Sequence, residues 1–537
     1  MTKQLQFNMK ARYSIKKGVD TLANAVKVTI GPRGRNVVLD HPLETPKILN
    51  DGVIIARGID LEEPFTNMGL QLLKEAAIKT NDMAGDGTTT ATILVQAILA
   101  EGLKNIAAGA NPMQLRSGLE RGAEVLIEEI RAMSKSIETR AEIAQVASIA
   151  ANDADMGELI AEVLDQVGRD GMVTVEEGRG LNSEVEYIKG MQFDRGYISP
   201  SMVTNQERME AVLSNPYILI TDKKISDIAE LLPLLERLLA AGQKELLVIA
   251  EDITGEALST LAVNKMRGTF HVLGLRAPSF GDRREAVMED IAIMTGGRVI
   301  SEKVGLRLEK TNIKDLGTAR SVTTTKDSTL IVDGGGSKEA IQRRIRELHA
   351  QLANGVGDYD REKLQERLAN LSGGVAVVKV GAATEVEMKE KKLRMEDALS
   401  ATRAALEEGI VPGGGVALVI ATSALDRIKT KMADEMTGVN ILRRALEEPL
   451  RQIAKNAGYD GPVVVANVRD QPFGYGFDAL TGQYVDMFKA GIVDPVKVVR
   501  AALQNAISIG AMILTTDTLI TDTPVHIPDF KDIEFGL

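Results

Sequence analysis

Two glycines bracket a carboxylate in Asn81-Asp82-Met83-Ala84-Gly85-Asp86-Gly87-Thr88-Thr89-Thr90-Ala91-Thr92. Three threonines follow, and residues 93–103 then read as a helix. That order suits an anion. Glycines let backbone N–H groups come close, and a helix start offers unpaired N–H groups with a favourable dipole. The hydroxyls of Thr88, Thr89 and Thr90 would add donors to phosphate oxygens. Asp86 is the kind of oxygen ligand that joins Mg²⁺ to a phosphate. The competing reading is an ordinary Asp-Gly turn running into a helix, and the residues alone leave both open.

The elements that would hold this loop are mostly helical. Ala11, Ile15, Val19, Leu22, Ala25 and Val26 recur at three- and four-residue steps, predicting a helix over 9–28. Thr29-Ile30-Gly31-Pro32-Arg33-Gly34 breaks it. Short β-prone pieces follow at 36–40 and 47–49, and Asn50-Asp51-Gly52 forms the turn into 53–56. Helices are expected at 70–79, 89–107, 112–133 and 140–151. Beyond residue 170, strand-like runs at 172–175, 185–188, 217–221, 246–249, 271–275 and 330–333 alternate with helical pieces, which argues for an α/β region.

Two helices in that region, 232–241 and 255–267, are apolar over more than one face, so each is buried on two sides or exposes a binding surface. Charge dominates 338–366 and reads as solvated helix faces. Thr384-x-x-Glu387 opens a long helix that ends at Gly409. Pro412-Gly413-Gly414-Gly415 feeds another helix at 416–425, and helices at 442–456 and 495–514 follow.

Composition removes several chemistries. Cysteine is absent, so disulfides, thiolate metal sites and cysteine nucleophiles are excluded. The four histidines, His41, His271, His349 and His526, are scattered, which disfavours a zinc site or a histidine triad. A net charge of -11 and 3% aromatic residues speak against a nucleic-acid binder. The first ten residues have no signal-like core and no long apolar run occurs, so no membrane role and a cytoplasmic setting are expected. At 537 residues the chain exceeds a single core, and two to four domains are expected.

Together these segments resemble one family. Val28-Thr29-Ile30-Gly31-Pro32-Arg33-Gly34-Arg35-Asn36-Val37-Val38-Leu39, the loop at 84–92, and Gly190-Met191-Gln192-Phe193-Asp194-Arg195-Gly196-Tyr197 are similar to group I, GroEL-type chaperonins. So are Val380-Gly381-Ala382-Ala383-Thr384-Glu385-Val386-Glu387-Met388-Lys389-Glu390-Lys391-Lys392 and Gly413-Gly414-Gly415. The resemblance spans essentially the whole chain. It implies a multidomain α and α/β fold: a helical equatorial ATP-binding domain (1–132 and 408–537), a small intermediate domain (133–189 and 375–407) and an α/β apical domain (190–374). It also implies ATP, Mg²⁺ and K⁺ as cofactors, stacked heptameric rings, non-native polypeptides as substrates and a GroES-type co-chaperonin as partner.

The same resemblance assigns residues. Thr29, Ile30, Gly31, Pro32, Asn50 and Gly52 would lie against the nucleotide, with Asp51 near the γ-phosphate and Asp397 as base or water-positioner. Asp86 would bind Mg²⁺ and Gly87, Thr88, Thr89 and Thr90 would cradle phosphates. Gly414, Asp478, Ala479 and Asp494 would complete the adenine and ribose contacts, and Ile149 and Gly413 would also belong to the nucleotide site. Tyr197, Ser201, Met202, Leu232, Leu235, Leu258, Ala262 and Val263 would meet polypeptide and co-chaperonin. Arg195 and Glu385 would pair between subunits, and Gly190, Gly373, Gly374 and Gly409 would serve as hinges. Departures from the pattern are Asn50 in place of a common lysine, Ser201-Met202 in place of two aromatics, Ala262 in place of valine, and an ending without Gly-Gly-Met repeats. From the residues alone, a small-molecule kinase or a non-cycling paralogue competes with a folding machine.

Overall fold

The computed structural model describes residues 2–522 apart from 41–45, 169–171, 179, 207, 280, 354–363, 365–366, 369 and 372–373. Gly373, His41, His526 and the chain end at 532–537 therefore lie outside the described residues, as does much of the charged stretch after 353. The chain divides into two compact units, one of 1–162 with 383–537 and one of 163–382.

The first unit is a helical bundle. Lys3–Phe7 pairs antiparallel with Thr518–Asp522 and ties the two ends of the chain together. The helices Asn8–Val26, Pro64–Ala84, Thr88–Ala107, Pro112–Ala132, Ala433–Ala445 and Val496–Leu514 share one apolar core that includes Ile15, Leu22, Leu70, Ile98, Leu126 and Leu503. Local chemistry starts these helices. The Glu63 carboxylate accepts from the N–H of Phe65 and Thr66, and the Asn111 side chain does the same for Met113 and Gln114, each just before a proline suited to a first turn. Asn8–Val26 and Pro64–Ala84 touch backbone to backbone. A Cβ at Gly18 would fall 1.9 Å from the Thr66 carbonyl oxygen. Val496–Leu514 is long and apolar enough to cross a membrane, yet 72% of that stretch is buried inside the protein, as in a core helix.

The second unit carries a large mixed sheet. Its strands run His271–Arg276, Glu245–Ala250, Tyr217–Thr221, Gly317–Thr324, Thr329–Gly334, Glu184–Phe193, Gly374–Val380, Met172–Glu177, with Val299–Ile300 and Ala211–Ser214 paired alongside. The first three are parallel, as the alternation with helices predicts, and the centre is antiparallel. Helices Leu232–Ala240 and Gly255–Met266 pack on it. The buried Asp290 anchors Arg344 (2.7 Å) and Arg367 (2.6 Å), so its charge is fully paired.

Three local expectations are corrected. Residues 53–56 lie in the helix Gly52–Arg57 rather than in an extended piece, because the Asp51 side chain accepts from the Val53 N–H (3.0 Å) and caps a helix. The single helix expected over 442–456 is two, Ala433–Ala445 and Glu448–Asn456, since Pro449 cannot donate to the preceding turn. Thr384 caps Glu385–Glu408 as expected, but without the reciprocal bond of a capping box, which is formed instead by Thr139 with Glu142 at the head of Arg140–Ala151 and by Asn312 with Asp315 at the short turn Ile313–Asp315.

Candidate functional site

The loop at 85–87 is shaped by two left-handed glycines. Gly85 (φ 70°) ends Pro64–Ala84 and Gly87 (φ 82°) starts Thr88–Ala107, a conformation that a side chain would strain. No side chain caps the second helix. Its first internal hydrogen bond runs from the Ala91 N–H to the Gly87 carbonyl, so the N–H groups of Thr88, Thr89 and Thr90 precede the helical ladder. Three other segments close on this start. A Cβ on Gly52 would meet Thr89 Oγ1 at 2.5 Å and Thr88 Oγ1 at 2.8 Å, so the Asp51 turn is seated on the threonines. Thr29 Oγ1 lies 3.5 Å from Thr89 Oγ1. Gly87 backs onto Val498 of the core helix.

The carboxylates here crowd one another. Asp86 and Asp494 keep partial access to solvent, but burial raises the Asp86 pKa, with the nearby charge of Asp51 adding to it and the Gly87 N–H opposing. Burial likewise pushes Asp494 up to about 7, reinforced by the charge of Asp86 and opposed by the N–H groups of Gly415 and Gly414. Asp494 is positioned by the strand pair Ile410–Pro412 and Val493–Pro495, which also brings Gly413 to within 3.0 Å of its Oδ1, counted from a Cβ built there. Asp51 thus acts on Asp86 and Asp86 on Asp494, and carboxylates gathered in this way form a place where a cation is favourable. Among the described residues no three or more His, Cys, Asp or Glu are arranged as a metal cage.

A second edge of the site comes from the hairpin Tyr475–Asp478 and Gln483–Asp486. Asp478 holds the turn, accepting from the Leu480 N–H (2.9 Å) and Thr481 Oγ1 (2.6 Å), with Ala479 buried beside it. Arg33 donates to the Leu480 carbonyl (2.7 Å), which brings the Gly31-Pro32 loop to this hairpin. The helix Glu385–Glu408 packs onto the Asp86 loop: a Cβ on Gly85 would sit 2.4 Å from the Cβ of Ser400. Asp397, half-buried, is one turn before Ser400 and shares its face. Ile149, 42% exposed on Arg140–Ala151, lies one turn after Gln145, whose side chain borders Gly491 just ahead of Asp494.

One residue joins this group without having been expected. The Asn456 amide donates to the carbonyls of Lys27, Val28 and Ile30. No motif marks it, since a polar residue ending a helix is ordinary. A cavity of about 300 Å³ bordered by Asp20, Lys27, Gln96, Glu101, Arg444 and Gln452 involves none of the expected residues.

The TCP-1/cpn60 chaperonin family profile matches residues 22–524. The chain belongs to this family. Among solved structures it resembles the chaperonin gp146 from bacteriophage EL 2 (Pseudomonas aeruginosa), crystallised in the presence of ATP-BeFx. The two align with a TM-score of 0.67 over 97% of this chain and 99% of that one, at 22% identity, which is a likeness of fold. A chaperonin assembles into rings and binds substrate polypeptides, and membership removes the small-molecule kinase reading.

In the 163–382 unit of this chaperonin, the residues expected to meet polypeptide are divided. Leu232 (48% exposed) and Val263 (38% exposed) face solvent together with Leu239 and Met266, two apolar positions absent from the expected set. Tyr197, Leu258 and Ala262 are half-buried and Ser201 is exposed. Leu235 and Met202 are not on the surface: Leu235 joins the core, and Met202 is 1% exposed with its sulfur accepting from the Gly274 N–H (3.1 Å). Lys265 holds that segment in place by donating to the carbonyls of Ser201 (2.9 Å) and Val203. Arg195 is half-buried in this unit, whereas Glu385 belongs to the other unit, is exposed and pairs with Lys389 (2.6 Å).

Proposed function

We propose that this chaperonin binds Mg-ATP on the 1–162 and 383–537 unit, hydrolyses it, and uses the cycle to capture and release non-native polypeptides. The surface of Leu232, Leu239, Val263 and Met266 is the capture site, and a GroES-type co-chaperonin closes the cavity of stacked heptameric rings. The proposed equatorial, intermediate and apical domains have their boundaries at 132/133, 189/190, 374/375 and 407/408. The observation that carries the reading is the seating of the Asp397-bearing helix on the Gly85–Asp86 loop, beside a helix start that no side chain caps. The crystallisation of gp146 with ATP-BeFx supports a nucleotide there.

In this reading the N–H groups and hydroxyls of Thr88, Thr89 and Thr90 receive the phosphates. Gly31, Pro32, Gly414, Asp478 and Ala479 border the adenosine. Asp86, helped by Asp494, would hold Mg²⁺, which neutralises phosphate charge when bound; K⁺ would sit by the Thr29 and Asn50 segment. Asp397 orients and deprotonates the attacking water, and Asp51 holds the region of the γ-phosphate. Hydrolysis of ATP by purified wild type and Asp397→Ala, with and without a GroES-type protein, tests this. Because positioned bases supply roughly 10²–10⁴-fold, the variant is expected to lose at least about a hundredfold in turnover while still binding ATP. The wild-type rate should change with the partner. An unchanged rate in Asp397→Ala removes that residue from the mechanism.

A further inference from the structure

The carbonyl oxygens of Lys27, Val28 and Ile30 belong to a segment made of a short turn, Lys27–Thr29, and the extended residue Ile30 that leads into the Gly31-Pro32 loop. The chain folds back on itself just beyond, where the Arg35 N–H donates to the Val28 carbonyl (2.8 Å) and the Gly34 N–H to the Gly31 carbonyl (2.9 Å). From outside, the side chain of Asn456 donates to three of its carbonyls: Lys27 at 3.1 Å, Val28 at 3.4 Å and Ile30 at 2.9 Å. The other end of the same amide, Oδ1, accepts from Gln452 Nε2 at 2.7 Å. This arrangement fixes the orientation of the amide. Reversed, its oxygen would face three carbonyl oxygens and its NH₂ group would face the donor of Gln452.

The contact is a docking surface rather than a single bond. Ile453, one turn before Asn456, lies against Gly31, where a Cβ would be 3.0 Å from Ile453 Cγ2; Gly31 sits at φ 84° with its Cα turned to this helix. On its other side the loop reaches Thr89 through Thr29, and the hairpin turn through Arg33. The helix Glu448–Asn456 therefore holds the loop from behind while the loop's front meets the threonine helix start.

We propose that Asn456 is a positioning residue for nucleotide binding, held in its orientation by Gln452, that keeps the Lys27–Pro32 loop in the shape that receives the nucleotide. This rests on the nucleotide reading of the site given above. Without the Asn456 amide the loop samples other conformations, and apparent affinity falls with the fraction that remains competent. Asp86, Asp397 and the helix start at Thr88 are held by other contacts, so the bound complex reacts as before. The signature is a raised KM and Kd for ATP with kcat preserved.

The test is Mg-ATP binding by calorimetry and steady-state hydrolysis, on the full-length wild type, Asn456→Leu and Gln452→Ala, with thermal melting of each. Asn456→Leu keeps the volume and deletes the donors; the loss of two N–H donors shared among three carbonyls predicts Kd and KM higher by roughly tenfold or more with kcat within about twofold. Gln452→Ala leaves the donors and frees their orientation, so it moves KM the same way by a smaller factor, and it carries the test should Asn456→Leu fail to fold. A lower melting temperature with KM unchanged means that Asn456 only stabilises the fold and overturns the proposal. Equal loss of kcat at constant KM overturns it too. If the wild type itself binds no ATP, the nucleotide reading falls; if it binds and both variants match it, only the Asn456 proposal falls.

Discussion

Replacing Gly85 by alanine tests how the Asp397 helix is seated. The new Cβ would lie 2.4 Å from Ser400 Cβ and 2.9 Å from its Oγ. Carbon atoms in contact need about 3.5–4.0 Å, so the Glu385–Glu408 helix must retreat by more than about 1 Å or the loop must deform. Gly85 also sits at φ 70°, which costs an alanine roughly 1–2 kcal/mol. Overpacking adds about 1–3 kcal/mol, giving about 2–5 kcal/mol if nothing moves. If the helix moves instead, a misplacement of about 1 Å for the group that positions water costs on the order of a hundredfold in kcat. Gly85→Ala is thus expected to lower ATP turnover about a hundredfold while ATP binding persists.

A second variant separates the two terms. Ser400→Gly removes the Cβ that causes the clash, so Gly85→Ala with Ser400→Gly should regain most of the turnover but keep the stability loss from the left-handed backbone. Both quantities are read from a double-mutant cycle, with hydrolysis rate on one axis and denaturant midpoint on the other. Full activity in Gly85→Ala, or no recovery in the double variant, refutes the idea that contact of Ser400 with this loop sets the position of Asp397.

Other consequences follow from single contacts. The Lys135 ammonium, together with the N–H groups of Glu138 and Thr139, holds Glu142 at a pKa of about 2 against 4.5. The folded value is the lower one, so its contribution is present above pH 4.5 and is lost as pH falls from there toward 2. Glu142→Gln should therefore speed amide exchange in Arg140–Ala151 at pH 7, and the difference from wild type should vanish by about pH 2; a difference that persists there excludes the charge as its source. At the proposed capture surface, Leu232→Ser with Val263→Ser removes two half-exposed apolar side chains worth about 1 kcal/mol each. Capture of a chemically unfolded protein is expected to weaken roughly thirtyfold with ATP hydrolysis unchanged. Unaltered capture moves the surface elsewhere on this unit.

Much of this architecture was legible because its causes are local. Prolines at first-turn positions, side-chain caps and glycines forced to positive φ mark helix ends within a few residues of one another, and the helices at 88–107, 112–132 and 140–151 fall where the spacing puts them. The failures have local causes as well. Val53, Ile54 and Ile55 are β-prone, but Asp51 caps them into a helix, and burial of all three then decides the matter. The break at 446–447 has its local sign in Pro449, which stands in the first turn of the second helix.

The assembly of the site is a different kind of information. Asp51, Asp86, Gly413 and Asp494 are spread over more than four hundred residues, and no periodicity says that they meet; in the sequence only the family resemblance brings them together. Where the resemblance named side chains by position alone it was weakest, as Met202 shows. Apolar character fits a capture surface and a core equally well. The deciding facts are that the Met202 sulfur finds the Gly274 N–H and that Lys265 pins the flanking carbonyls, both contacts made across more than sixty residues. Asn456 is the converse case. Nothing in its neighbourhood distinguishes it, and its meaning comes from three carbonyls more than four hundred residues away. Residues that act on backbone rather than on substrate carry no motif, so the positioning layer of a site must be sought in the fold.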